Sequence, residues 1–181
     1  MRRLRQKETS KNESTGAMLP VELYKEIALH ADIDTLKVLS MTYNHFYNLY
    51  HDDQFWKDKI ALDFPFAMDP NREYPYTVDS YGSILNAWEM ANELINHDMI
   101  LTLNNEWPWY ISLDKITEDD VPENIKIFNH HNHYIVFYKY LHYTDDDQSE
   151  AHIKVKMTKN QVLKLLTNLL YHDDIRCYKA I

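Results

Sequence analysis

A run of imidazoles at residues 129–133, Asn-His-His-Asn-His, holds the side chains best suited to metal chemistry. Neutral imidazole is a good zinc ligand, and His131 and His133 would share one face of a strand. His142 and His152 are spaced evenly about the acidic loop 144–150, so they could face one another across a hairpin. Neither a nearby cysteine nor a His-Glu-x-x-His helix completes a zinc site. We therefore expect no metal and interpret these histidines as residues of an exposed turn.

Carboxylates are the other group that could do chemistry. General acid–base catalysis needs two carboxyl groups whose surroundings drive their pKa values apart. Consecutive aspartates in polar turns more often cap helices or lie in solvent. Cys177, the single cysteine, is interpreted as a small apolar residue. We expect no catalytic set and no cofactor, and therefore no enzyme. The aspartate runs are Asp52-Asp53, Asp119-Asp120, Asp145-Asp146-Asp147 and Asp173-Asp174.

Composition narrows the class of protein. The 181 residues are 45% hydrophobic and 13% aromatic, which is typical of a folded chain of one domain or two small ones. Only 2 glycines are present, which excludes glycine-rich phosphate loops. A net charge of −9 argues against duplex nucleic acid as a partner, because that binding needs cationic side chains on phosphates. One cysteine indicates a reducing compartment. No apolar run approaches the roughly 20 residues of a membrane span, so we expect a soluble cytoplasmic or nuclear protein.

Beyond residue 99 the hydrophobic period changes from 3.6 to 2, which predicts a sheet after a helix at residues 79–97. Thr158 and Gln161 form a capping-box pattern for a last long helix. An acidic turn is expected at residues 118–123. The predicted strands are 99–103, 109–113, 125–128, 134–143, 151–157 and a short 176–181.

Aromatic residues are concentrated on these strands. Tyr134, Tyr138 and Tyr140 share one face of a strand by alternation. If that face is open, they are candidate anchors for a partner protein, since exposed tyrosine is typical of interfaces. The alternative is that the two long helices cover this face and make every aromatic side chain part of the core.

In the N-terminal third, the spacing of apolar residues predicts a series of short helices. A basic, disordered tail is expected before them, at residues 1–17. Pro20 suits a first helical turn, and Leu19, Leu23 and Ile27 follow at helical spacing. Pro65 should end the fourth helix. Candidate caps for the later helices are Asp32 or Asp34, Asn44 and Asp53.

The same stretch contains, in this order, Leu19-Pro20-x-Glu22-Leu23, Ile27, Leu36-x-x-Leu39, Phe46-x-x-Leu49 and Asp53-x-Phe55-Trp56. This ordered set resembles the F-box family and covers about the first third of the chain. The chain is rich in Asn, Lys, Asp, Ile and Tyr. In this composition it is also similar to F-box proteins of large DNA viruses, which would act in a host cell. The resemblance implies an F-box-like helical module at 18–65. Together with the helices and strands predicted from the hydrophobic periods, the sequence predicts an α+β protein, with a linker at 66–77 and an α+β domain with an antiparallel sheet at 78–181.

By resemblance, the chain would join a Skp-type adaptor of a cullin-based ubiquitin ligase, an SCF complex, to a target protein. The C-terminal domain would bind that target. Two alternatives stay open: a metal-dependent enzyme in the C-terminal half using His131, His133, His142 or His152, and a structural protein with an F-box-like bundle and no ligase role. The residues implied for the adaptor contact are Leu19, Pro20, Leu23, Ile27, Leu36, Leu39 and Trp56.

Overall fold

The computed structural model describes residues 19–104, 107–111, 113, 120–143 and 148–181. The predicted tail at 1–17, most of the loop 144–150 and the side chain of Cys177 lie outside the described residues. The chain divides into two compact units, Met1–Leu49 and Tyr50–Ile181. This division falls earlier than the predicted boundary at residue 65, within the F-box-like stretch.

The first unit is built from short helices. They are α1 (Val21–His30), α2 (Ile33–Thr42) and most of α3 (Asn44–Tyr50). Pro20 occupies the N-cap of α1, and the Asp32 side chain caps α2 by accepting a 2.7 Å hydrogen bond from the Thr35 amide. The Tyr24 ring of α1 stacks on His45 of α3 with ring centroids 4.7 Å apart. The predicted helical spacing and the Asp32 cap are thus confirmed.

The second unit begins with α4 (Asp53–Asp63), which ends just before Pro65 starts a single 3-10 turn, Pro65–Ala67. The cap of α4 is Asp52 and not Asp53, since the Asp52 carboxylate accepts from the Gln54 amide over 3.0 Å. Phe55, Trp56 and Ile60 are buried. α4 is therefore anchored by its apolar face, as the predicted period of four residues requires.

Residues 66–77, predicted as a linker, make hydrogen bonds with distant elements. The Asn168 side chain donates to the Phe66 carbonyl over 3.1 Å, and the Arg72 guanidinium donates to the Tyr171 hydroxyl over 2.9 Å. α5 (Val78–Leu94) then starts at a capping box of Thr77 and Ser80. The segment before α5 is thus part of the second unit's tertiary structure.

Five described strands form one antiparallel sheet in the order β4-β3-β2-β1-β5. Helix α6 (Lys159–Tyr171) follows β4 and begins at the predicted Thr158–Gln161 capping box. Helices mostly N-terminal to the strands of an antiparallel sheet define an α+β protein, which confirms the predicted class. The strands are β1 (Met99–Leu103), β2 (Asp120–His130), β3 (His133–Tyr143), β4 (Gln148–Met157) and β5 (Ile175–Ala180).

Two strand predictions need correction. Trp109 and Tyr110 lie in a turn, in which the Ile111 amide donates to the Pro108 carbonyl over 2.9 Å, and none of the described residues of 109–113 belongs to a strand. The strand predicted at 125–128 is the longer β2, which takes in residues 120–123 of the expected acidic turn. Pro122 is tolerated in this inner strand because the register shifts between Pro122 and Asn124, as at a bulge.

Helices α5 and α6 pack against one face of the sheet. The core joins Ala91 of α5, and Ile95 directly after it, to Leu166 and Leu169 of α6. The sheet contributes the side chains that alternate toward these helices along each strand. Its fully buried sheet residues are Met99, Leu101, Ile125, Ile127 and Val136.

Candidate functional site

An apolar row is exposed on the first helix. Leu19, Leu23 and Ile27 follow each other at four-residue spacing, and each retains 45% of its accessible surface. Only Ala28 of α1 is buried. Here Leu19, Leu23 and Ile27 are named the α1 apolar row. A helix that leaves its regular apolar residues in solvent has an unpartnered face, which is typical of a protein-binding surface.

Exposed apolar side chains are concentrated in the first unit. Of the fifteen large apolar residues that the described part of the chain exposes, eight lie between residues 19 and 49. Contiguous exposed apolar area marks interaction sites more reliably than single exposed residues do. Besides the α1 apolar row, the exposed residues of this unit are Val21, Val38, Met41, Tyr43 and Tyr47.

Some of the residues implied for the adaptor contact are exposed and others are buried. Pro20 is exposed together with the α1 apolar row, and Leu39 is half-buried. Leu36 and Trp56 are only 2% and 1% exposed, so neither side chain is available to a partner in this structure. For these two, the expected contact role is corrected to a role in folding.

Trp56 is fixed by contacts within the second unit. Its indole N–H donates to the Tyr50 carbonyl over 2.8 Å, and its ring lies 5.6 Å from the ring of Tyr81 on α5. Because the whole ring is packed and its one polar atom is satisfied, Trp56 has no surface left for recognition.

The tyrosines expected as partner-binding anchors face the core. Tyr134, Tyr138 and Tyr140 are all buried, and the first two belong to the core that the sheet forms with α5 and α6. Tyr140 lies on the same sheet face by alternation. Burial raises the pKa values of Tyr134 and Tyr138, so both phenols stay protonated. The partner-binding role named for these three is therefore corrected, and the alternative that the helices cover this face is the one observed. Alternation shows that residues share a face, but it does not show which face the helices cover.

The opposite sheet face carries a smaller aromatic cluster. Phe128 and Phe137 are half-buried there with ring centroids 5.8 Å apart, and the Lys154 ammonium lies 5.6 Å from the centre of the Phe137 ring. These phenylalanines, and not the tyrosines, thus lie on the sheet face that is opposite the core.

The histidines lie in the predicted turn and on the strands beside it, and the facing pair considered for His142 and His152 is not formed. His130 stacks on His133 with centroids 5.1 Å apart, and His131 occupies the left-handed region at φ 58 in the β2–β3 turn. His152 lies opposite Lys139 and not opposite His142. Among the described residues, no group of three or more His, Cys, Asp or Glu side chains could hold a metal ion.

His142 has a different partner. Its Nδ1 lies 2.6 Å from Oδ1 of Asp120, whose side chain is buried. The two residues are directly opposite in the β2–β3 register. This carboxylate–imidazole pair joins the ends of two strands, and Asp120 belongs to a strand where a solvated turn was expected.

A second candidate site is a cavity of about 600 Å³ in the second unit. The rings of Tyr110 and His172 are stacked with centroids 5.5 Å apart, and Trp109 meets His172 edge-on at 5.9 Å. The Tyr110 hydroxyl donates to Oδ2 of Asp174 over 2.6 Å. The cavity is lined by Asp69, Asn104, Trp107, Trp109, His172 and Asp174.

Burial sets the protonation of this cavity. Loss of solvent raises the pKa of Tyr110, and the adjoining Asp174 carboxylate raises it further, so the phenol remains a donor. Burial lowers the pKa of His172 despite the opposing charges of Asp174 and Asp69, so its imidazole is neutral at pH 7. The sequence interpretation missed this site because its residues come from three separate segments and form no local motif.

Comparison with known proteins gives no match to a family model, a curated protein or a solved structure. The likeness to F-box proteins therefore rests on the ordered residues between Leu19 and Trp56. In the part of the chain that the structure describes, no helix is both long and apolar enough to cross a membrane.

Proposed function

We propose that the chain is an F-box-type substrate adaptor, in which the α1 apolar row binds a Skp-type subunit of a cullin-based ubiquitin ligase. The observation that carries this proposal is the exposure of Leu19, Leu23 and Ile27 at the start of the F-box-like stretch. These are the positions that the family resemblance assigns to the adaptor contact. Water-exposed leucines in a row are costly unless a partner covers them.

The first unit suits a separate recognition role. It is a compact body of its own that ends at Leu49, and its buried residues include Ala28, Leu36 and Phe46. Those side chains stabilise the short helices, while the α1 apolar row faces solvent. The unit can therefore lose its exposed leucines without losing its interior.

In this proposal the second unit binds a target protein, and the chain acts in the cytoplasm or nucleus. The mechanism is proximity: the target is held where the ligase can transfer ubiquitin to it, and no bond is made or broken by this chain. Placing the partners together replaces a bimolecular encounter by an effectively intramolecular one.

The test is a binding experiment with a purified Skp-type adaptor, preceded by affinity purification from eukaryotic cells to detect the adaptor and a cullin. The double variant Leu23→Ala/Ile27→Ala should weaken binding at least tenfold, because truncated hot-spot side chains typically cost about 2 kcal/mol or more each. Leu19→Ala with Pro20→Ala should have a similar effect.

The matched control is Leu62→Ala, which truncates a leucine of similar exposure, 49%, on α4. This variant should bind as the unmodified chain does. Circular dichroism must show that each variant keeps its helices. The proposal is overturned if the unmodified chain does not bind the adaptor, or if the folded double variant binds it equally well.

A further inference from the structure

The cavity beside His172 combines the volume of a small-ligand site with a lining of tryptophans and carboxylates. Its volume of about 600 Å³ is in the range of small-ligand sites. Two tryptophans, Trp107 and Trp109, meet two carboxylates, Asp69 and Asp174, in its lining. Aromatic faces and carboxylates both attract cations, the first through the ring quadrupole and the second by charge.

The electrostatic balance of this cavity is negative. The neutral His172 adds no positive charge, because burial lowers its pKa. Arg72 is a cation near His172, and its guanidinium donates to the Tyr171 hydroxyl over 2.9 Å and to the Ser80 hydroxyl over 2.9 Å. It also lies 4.3 Å from the centre of the Tyr76 ring. Arg72 is thus occupied in holding the segment before α5, and the two lining carboxylates exceed it in charge.

Two lining residues carry polar atoms without a partner. The His172 Nε2 and Trp107 Nε1 atoms are buried and accept or donate no hydrogen bond among the described residues. Buried polar atoms without partners are few in native proteins, and each needs an explanation. The indole N–H needs an acceptor, such as a peptide carbonyl, whereas an unprotonated imidazole nitrogen needs a donor.

Trp109 adds the aromatic contribution. It keeps 43% of its surface although it contacts Tyr110 and His172 at its edge. A large ring left partly open beside two carboxylates is suited to cover an approaching ammonium or guanidinium group.

We infer that this cavity binds a positively charged arginine or lysine side chain of a polypeptide. Asp69 and Asp174 balance the charge, Trp107 and Trp109 cover the apolar stem and the cationic head, and the peptide backbone supplies a carbonyl acceptor. Within the proposed adaptor function, this is the pocket that recognises the target protein. The binding itself does not require the ligase, so the two proposals can fail separately.

The experiment is a titration of the isotope-labelled full chain, followed by nuclear magnetic resonance of the tryptophan indole N–H groups. The probes are the methylamides of arginine and lysine acetylated on the α-amino group, so that both side chains keep their positive charge. The α-acetylated methylamide of citrulline is the neutral counterpart of the arginine probe. Trp107 and Trp109 should shift with a dissociation constant on the order of 1 mM for a cationic probe, as expected for so small a ligand. Trp56 and Trp88 provide internal references outside the cavity lining.

Citrulline methylamide should cause no saturable shift at the same concentration, and added salt should weaken binding of the cationic probes. Asp174→Asn should lower their affinity about fivefold to tenfold, since a close opposite charge is lost. The substituted amide still offers an oxygen to the Tyr110 hydroxyl, so the fold should be retained. Asp69→Asn should act in the same direction.

Asp173→Asn is the matched control, because Asp173 is the exposed neighbour of Asp174 and is absent from the lining of this cavity. Its affinity for the probes should equal that of the unmodified chain. Equal binding of citrulline and arginine methylamides, unchanged affinity in folded Asp174→Asn, or no shift of either lining tryptophan would each overturn the inference. Adaptor binding by the first unit would be unaffected by any of these results.

Discussion

The indole N–H of Trp56 donates a hydrogen bond to the backbone carbonyl of Tyr50 over 2.8 Å. The tryptophan that ends the F-box-like motif is therefore held inside the second unit, although its position in the motif implied a contact with another protein. The place of Trp56 in the motif therefore does not determine whether its side chain is exposed to a partner.

We expect Trp56→Ala to lower the free energy of unfolding by about 3–5 kcal/mol, because it leaves a large cavity in a packed region. Trp56→Phe should cost less, since it retains a ring but loses the bond to Tyr50. Urea unfolding followed by circular dichroism measures both. Leu62→Ala, at an exposed site, should change stability by no more than about 0.5 kcal/mol. Equal stability of Trp56→Ala and Leu62→Ala would contradict the burial of Trp56.

Leu36 and Leu23 offer a direct test of burial against binding. Leu36→Ala should destabilise the first unit by about 2–5 kcal/mol, because its side chain is enclosed. Leu23→Ala removes a half-exposed side chain and should cost well under half as much. Adaptor affinity, measured under conditions where both variants are folded, should show the reverse order. A larger loss of stability for Leu23→Ala would be inconsistent with this structure.

A chain cut at the observed division should fold by itself. The fragment 50–181 keeps the sheet, α5, α6 and the buried residues of α4, so we expect a cooperative thermal transition. The fragment 66–181 lacks Trp56 and Phe64, whose rings lie 5.6 Å from that of Tyr81. It should melt at a lower temperature and bind a dye for exposed apolar surface. If both fragments melt alike, α4 contributes nothing to the second unit.

His172 should make stability depend on pH. Its pKa is lowered in the folded chain, first by burial, so the folded state binds this proton less readily than the unfolded chain, in which a histidine titrates near pH 6.5. Between the lowered value and about 6.5, the unfolded chain binds more protons, and stability falls as pH falls. Above that window the contribution is complete.

The comparison of urea midpoints at pH 7.5 and 5.5 tests this dependence. His172→Gln cannot be protonated and should show a smaller loss of stability on acidification than the unmodified chain. His97→Gln, at an exposed position after α5, should leave the loss unchanged. An equal or larger acid-induced loss in His172→Gln would rule out a buried neutral imidazole at this position.

Local signals determined most elements of this fold. Three local signals began or ended a helix where the sequence predicted: the Thr158–Gln161 capping box, the Asp32 cap and Pro65. Each depends only on residues that are close to it in the chain. Alternation over β3 also determined that Tyr134, Tyr138 and Tyr140 share a face. These effects arise from backbone hydrogen bonds and side-chain direction, which depend on neighbours in the chain.

Three features depended on contacts between distant segments. The packing of α5 and α6 decided that the tyrosine face is the inner one, and the packing of α4 on Tyr81 decided that Trp56 is buried. The cavity lined by Asp69, Trp107 and Asp174 formed only when three segments met. Sequence spacing measures position along the chain, whereas burial and cavities depend on which surfaces exclude water from one another, and only the tertiary structure specifies that.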